Sequence, residues 1–216
     1  MSLLTPMLRS SPLTDWFSDA QRVQGMLDFE AALAQAQAAC GMVPTAAVGP
    51  IVAACRHEAI DFTALGEAAV GAGNLAIPLV KQLTAQVKAR DPDAARYVHW
   101  GATSQDAIDT GLVLQLRGAL EAAETLLEQL LAALAGQADR YRDTVMPGRT
   151  WMQHALPVTF GLKLAGTLDA LLRWQRRLRE MRPRLLARQF GGAAGTLDAL
   201  KRKGRRLAWR WRRSSV

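Results

Sequence analysis

The sequence is poor in aromatic residues, 6% of 216, and holds only two cysteines and three histidines. So few cysteines exclude a disulfide scaffold. Cys40 and Cys55 fit neither a zinc nor a redox spacing and read as reduced residues on apolar helix faces. No apolar run approaches the roughly 20 residues that a membrane helix needs. The opening MSLLTPMLRSSPLTDWF lacks the basic-then-apolar order of a secretory signal. A soluble, cytoplasmic protein with no membrane partner is expected. Acidic residues are missing from one stretch: 201–216 carries eight of the 27 Lys and Arg and no Asp or Glu. The net charge of +8 therefore belongs to that stretch, and the first 200 residues balance 19 bases against 19 acids. That balance weakens a reading of the body as a specific nucleic-acid binder, which would want a basic face. What is present is apolar residue, 50% of the chain, enough for a core and too much for disorder.

The apolar residues recur at helical spacing. Val23, Leu27, Ala31, Ala34 and Ala38 predict a helix over 16–39, stopped by Gly41 and Pro44. Thr45 opens a short helix carrying Val48, Ile51, Val52 and Cys55. Asp61 caps another over Phe62 and Leu65, and Pro78 stands in the first turn of a fourth with Leu79, Leu83 and Val87. His57 lies outside the polar motifs and reads as structural. From about Asp106 to Arg142 nothing stops the helix, and Val113, Leu116, Leu120, Ala123, Leu127, Leu130 and Leu134 form a heptad seam. Such a helix is about 50 Å long and belongs to a long bundle or an oligomer core. After a break at 143–151, a second long helix runs from about Pro157 to Gln189 with Leu164, Leu168, Leu171, Leu178 and Leu185, kinked near its end by Pro183. Sustained period-two alternation is missing, so no sheet beyond a short hairpin is expected and the fold class is all-α.

Two polar clusters interrupt this pattern. The first, Tyr97 to Asp106, ends where the long helix begins, and it groups His99 with Thr103, Ser104 and Gln105. Hydroxyls and free N–H groups at a helix start form an anion site, while Ser104 or Asp106 could equally serve as a plain cap. The second, Gly148 to Pro157, opens the second long helix. It offers Arg149 as a fork for a carboxylate and His154 as a group able to exchange protons, with Thr150, Trp151 and Gln153 between them; a loop with a capping Thr is the alternative. One long helix separates the clusters, so they meet only between antiparallel copies, which argues for an oligomer with shared sites.

His99-Trp100-Gly101-Ala102-Thr103-Ser104-Gln105-Asp106 with Asp109-Thr110, and Gly148-Arg149-Thr150 through Gln153-His154-Ala155-x-Pro157, resemble the first two signature regions of the fumarase/aspartase superfamily. Gln24 to Leu33, Gly101 to Leu116 and Phe190 to Leu197 are most similar to its 3-carboxy-cis,cis-muconate cycloisomerase branch. In the lyase branches a His follows the Arg-Thr pair. Here Trp151 stands there, and Trp cannot exchange protons at neutral pH. The resemblance implies an N-terminal helical domain (1–105), part of a central helical bundle (106–200), and a homo-oligomer, tetrameric in an intact chain. It also implies a small tricarboxylate substrate. His154 and His99 would be the catalytic candidates, and Thr103, Ser104, Gln105, Arg149, Thr150, Trp151 and Gln153 would bind substrate. The implied lactone-forming chemistry needs no metal or organic cofactor, and no ligand cluster is seen.

The family's third signature, a Gly-Ser-Ser-x-Met-Pro-x-Lys loop, is not in the sequence. Residues 201–216 read as an out-of-frame translation, so a truncated and impaired enzyme is expected. Two alternatives stay open: an adenylosuccinate-lyase-like C–N lyase, and a non-catalytic helical oligomerisation module with a polyanion-binding tail.

Overall fold

Local signals start most of the helices. In the computed structural model, which describes residues 11–198 and Leu200, Ser18 accepts the Gln21 N–H and opens α1 (Asp19–Ala39). Pro44 precedes α2 (Thr45–Ala54). Asp61 accepts the Ala64 N–H at 3.0 Å and caps α3 (Phe62–Ala72), which ends on left-handed Gly73. Then come α4 (Ala76–Arg90), the long α5 (Ser104–Arg140), strands β1 (Val145–Thr150) and β2 (Gln153–Thr159), and α6 (Phe160–Leu185), with Pro183 in its last turn. Thr159 caps α6 by accepting the Leu162 N–H at 3.1 Å. The basic stretch 201–216, read from sequence as out of frame, lies outside the described residues.

The described residues form two compact units. One holds those up to Gly118 and from Leu186 onward; the other is Ala119–Leu185. The first has a closed core: Val23, Leu27, Phe29 and Leu33 of α1 meet Ile51, Leu65, Leu79, Leu83 and Val87. Burial of each such side chain stabilises by about 1.5–3 kcal/mol. Where α1 passes α5, Gly25 faces Gly111, and a Cβ on Gly25 would sit 2.7 Å from the Gly111 carbonyl oxygen. His57 is tied to Gln24 within this unit. Its N–H donates to Gln24 Oε1 at 3.0 Å, and Gln24 Nε2 donates to the Cys55 carbonyl.

Cys40 is half-buried and Cys55 buried, both free thiols. Burial, then the charges of Glu30 and Asp28, pushes the Cys55 thiol up to about 12. At pH 8 a maleimide should modify Cys40 and spare Cys55 until the chain is unfolded; equal rates in the native chain, followed by mass spectrometry, would contradict this.

The second unit holds the end of α5, the two strands and α6. Arg182 forks between Glu121 and Glu124 at 2.7 and 2.6 Å, and Arg179 reaches Glu128 at 3.3 Å. The α6 seam residues Leu164, Leu168, Leu171, Leu178 and Leu185 are half-buried. Among the described residues of this unit only Ala119, Leu131 and Gly161 are buried. Two long helices with one-sided stripes bury little of each other.

The fold is not purely α. β1 and β2 pair antiparallel, Val145 opposite Thr159 and Thr150 opposite Gln153, with an irregularity between Pro147 and Arg149. The sequence allowed a short hairpin without placing it, and the all-α class leaves it out, for three reasons. Both faces are exposed through most of its length, so no period-two apolar pattern marks it. Pro147 and Pro157 argue against strands. The two-residue turn is Trp151-Met152, both at positive φ (47° and 60°), where Asn-Gly is the usual signal. Residues 145–159 therefore form a β-ribbon, and α6 begins at Phe160 rather than at Pro157.

Candidate functional site

The first polar cluster is assembled around the start of α5. Asp106, 0% exposed, reaches back to the Thr103 N–H at 3.0 Å, closing the first turn as a capping box does. The same carboxylate accepts the Gly191 N–H at 2.9 Å on Oδ1 and the Gly192 N–H at 3.0 Å on Oδ2. Thr110 adds a second tie, its hydroxyl donating to the Gln189 carbonyl at 2.9 Å. A segment some 85 residues downstream is thereby held against the helix start. Gly101 and Ala102 on one side and Gly192, Ala193, Thr196 and Asp198 on the other line a cavity of about 160 Å³.

Of the residues singled out from the sequence, Thr103 and Ser104 stand half-buried at this helix start. Gln105 is exposed and donates to Asp109 at 2.6 Å. His99 precedes them in the left-handed region (φ 57°), a conformation that costs a non-glycine residue of order 1–3 kcal/mol and persists only where its surroundings hold it. Its Nδ1 lies 2.5 Å from Glu30 Oε1. Burial by itself would lower the His99 value, but the hydrogen bond and charge of Glu30, with the charge of Asp106, hold it above the ordinary imidazole value.

The hairpin organises the second cluster by register. Arg149 is directly opposite His154, and Thr150 opposite Gln153. Facing residues of an antiparallel pair share one side of the ribbon, so the guanidinium and imidazole flank one face, and Thr150 and Gln153 the other. Trp151 and Met152 form the tip, 94% and 92% exposed. Gly148 is required beneath them, because a Cβ there would meet the Leu156 carbonyl oxygen at 2.6 Å. The two clusters belong to different compact units. Among the described residues no group of three His, Cys, Asp or Glu side chains could hold a metal ion, and no helix is long and apolar enough to cross a membrane.

Sequence reasoning missed Glu30 and Gln37 as members of this region. Both are buried on α1, and Gln37 Nε2 donates to the Trp100 carbonyl at 2.6 Å. The buried stripe of α1 runs 23, 27, 30, 34, 37, one residue off the apolar stripe read from sequence at 31 and 38, so a charged and an amide residue occupy core positions. Asp106 was read only as a possible cap, and its bonds to Gly191 and Gly192 were not foreseen.

A family model described as "Lyase" matches residues 8–211. The 3-carboxy-cis,cis-muconate cycloisomerase of Pseudomonas aeruginosa is 62% identical over 185 residues, which is 86% of this chain and 40% of that protein. The nitrosuccinate lyase of Streptomyces davaonensis is 43% identical over 192 residues, 89% of this chain and 40% of that protein. The solved 3-carboxy-cis,cis-muconate lactonizing enzyme of Pseudomonas putida superposes with a TM-score of 0.93 at 54% identity, covering 96% of this chain and 47% of that one. The chain thus spans about two-fifths of the length of the curated relatives it matches.

Proposed function

We propose, from the premise that this chain belongs to the fumarase/aspartase superfamily of lyases, that it serves a cycloisomerase. Its reaction would convert 3-carboxy-cis,cis-muconate to 4-carboxymuconolactone in the protocatechuate branch of the β-ketoadipate pathway. The observation that carries this reading is the high identity to curated cycloisomerases over most of the chain. Trp151 supports it, since the residue directly after Arg149-Thr150 cannot exchange protons at neutral pH.

In this reaction a carboxylate oxygen of the muconate adds across a double bond and closes a lactone. The electron pair moves to a carbon beside another carboxylate, and the aci-carboxylate so formed takes a proton there. Written as the neutral acids, substrate and product are isomers; written as carboxylates, the step takes up one proton, which the acid recovers from water. The site must meet a doubled negative charge with donors and must place an acid beside the carbon. Arg149 provides a charged fork. Thr103, Ser104 and Gln105 provide polar groups at the positive end of α5. Thr150, Gln153 and Trp151 complete substrate binding on the hairpin, and His154 and His99 are the two groups able to carry a proton. The reading includes a cytoplasmic homotetramer whose copies share sites, with a small tricarboxylate as its partner. The division at 105/106 and 200/201 belongs to the same proposal.

The test is direct. Expected as an impaired enzyme, the chain should only slowly remove the ultraviolet absorbance of the conjugated diene of 3-carboxy-cis,cis-muconate, and Arg149→Ala should abolish what turnover remains. An untouched diene, with fumarate released from a succinyl-amine substrate, would move the chain to the C–N lyase branch and sink the reading.

A further inference from the structure

Two buried polar residues of α1, seven positions apart, end on adjacent residues of the first polar cluster. Glu30 Oε1 meets His99 Nδ1 at 2.5 Å, and Gln37 Nε2 donates to the Trp100 carbonyl at 2.6 Å. Between them they grip the left-handed turn that begins at His99. Glu30 is 2% exposed, His99 17% by side chain, and the second Glu30 oxygen, Oε2, is buried with no hydrogen bond among the described residues. A buried carboxylate with one basic neighbour depends on that neighbour for its neutralisation. A simple structural clasp would not need a charge there, because a neutral amide can tie α1 to this turn, as Gln37 does one heptad along by donating to the Trp100 carbonyl.

We propose that Glu30 is the positioning residue for His99: its carboxylate fixes the ring orientation, accepts from Nδ1–H and favours the imidazolium, in which the other ring nitrogen also carries a proton and donates to a substrate carboxylate. The charged groups around the pair are few. Asp106 acts on His99 from α5, and on the other side Glu30 and Asp28 act together on the Cys55 thiol. Burial opposes the imidazolium, and Glu30 and Asp106 outweigh it. Resting on the function proposed above, this divides the labour of the two histidines. His99 binds carboxylate and steadies the aci-carboxylate; His154, exposed on the hairpin beside Arg149, delivers the proton to carbon.

The experiment uses the full chain with isotope-labelled histidine, its three imidazoles assigned through His57→Gln and His154→Gln and followed by NMR against pH. Wild-type His99 should titrate above the ordinary imidazole value of about 6.5. In Glu30→Gln the hydrogen bond can persist but the charge is gone; burial, already the largest single influence, is then opposed by less charge, and the midpoint should cross to below that value. Glu30→Asp, which keeps the charge, should retain a raised midpoint. Stability follows the same sign. A raised folded value means the contribution of His99 is complete below its unfolded value and is lost as pH rises through the folded one. The wild-type melting temperature should therefore fall across that window, and the Glu30→Gln curve should lack the fall.

A His99 midpoint unmoved in Glu30→Gln overturns the proposal. So does a wild-type midpoint at or below about 6.5, a result that needs no variant to fold. Turnover of the muconate with an unmoved His99 titration would remove only this assignment. A titration that moves in a chain that leaves the diene untouched would remove only the proposed reaction.

Discussion

Asp106→Ala should lower the unfolding free energy of the chain by about 3–5 kcal/mol. The carboxylate is fully buried and accepts three backbone N–H groups, from Thr103, Gly191 and Gly192. Removing it leaves three donors without a partner, each costing roughly 1–3 kcal/mol where water cannot replace the lost acceptor. The half-buried Thr103 and Gly192 recover part of this from solvent, which keeps the sum below the maximum. Against a total stability of about 5–15 kcal/mol the loss is large, and the urea midpoint should fall accordingly. Asp106→Asn separates the contributions. With its carbonyl at the Oδ2 position it keeps the bonds to Thr103 and Gly192 and turns its amide toward the Gly191 N–H, so its cost should be about half. An Asp106→Ala chain that unfolds at the wild-type urea concentration would mean that the clasp between the start of α5 and the 190–197 segment is not a stabilising contact.

Gly25→Ala should destabilise by about 2–3 kcal/mol, although alanine is the better helix former by about 1 kcal/mol. The new methyl would sit 2.7 Å from the Gly111 carbonyl oxygen and 3.1 Å from its Cα. Both are backbone atoms that no rotamer change can move, so α1 and α5 must part and the surrounding core must loosen with them. Gly136 is the control. It lies in α5 with nothing within 4 Å of a Cβ, and it is exposed. Gly136→Ala should therefore stabilise by about 0.5–1 kcal/mol. The two substitutions are chemically identical and should differ in sign. Equal effects in urea denaturation would show that the close approach of the two helices is not what holds Gly25.

The superfamily was legible in the sequence because its two polar signatures are contiguous, each within about ten residues, and carry their own spacing. The helices were legible for the same reason: the Asp61 cap, the Pro78 first turn and the heptad seam of α5 are local patterns that a reader meets in one stretch of chain. The hairpin was not. Its residues face solvent on both sides, so burial writes no alternation into them, and its Trp-Met turn carries none of the usual turn residues. The two candidate clusters were only half legible. Thr103, Ser104, Arg149 and His154 declare themselves by chemistry in a dense motif, whereas Glu30, Gln37 and the Gly191–Gly192 backbone act at sequence distances of 63 to 86 residues from their partners.

What the sequence determined by itself is therefore the local and the periodic: where helices begin, which side of each is apolar, and which short motifs carry charge and hydroxyls. Only the tertiary structure decided that α1 turns positions 30 and 37 inward rather than 31 and 38. It alone set a carboxylate on His99 and gave Asp106 the task of holding two segments together. The reason is physical. Helical periodicity allows two adjacent faces that differ by one residue, and the choice between them rests on buried hydrogen bonds whose partners come from elsewhere in the chain.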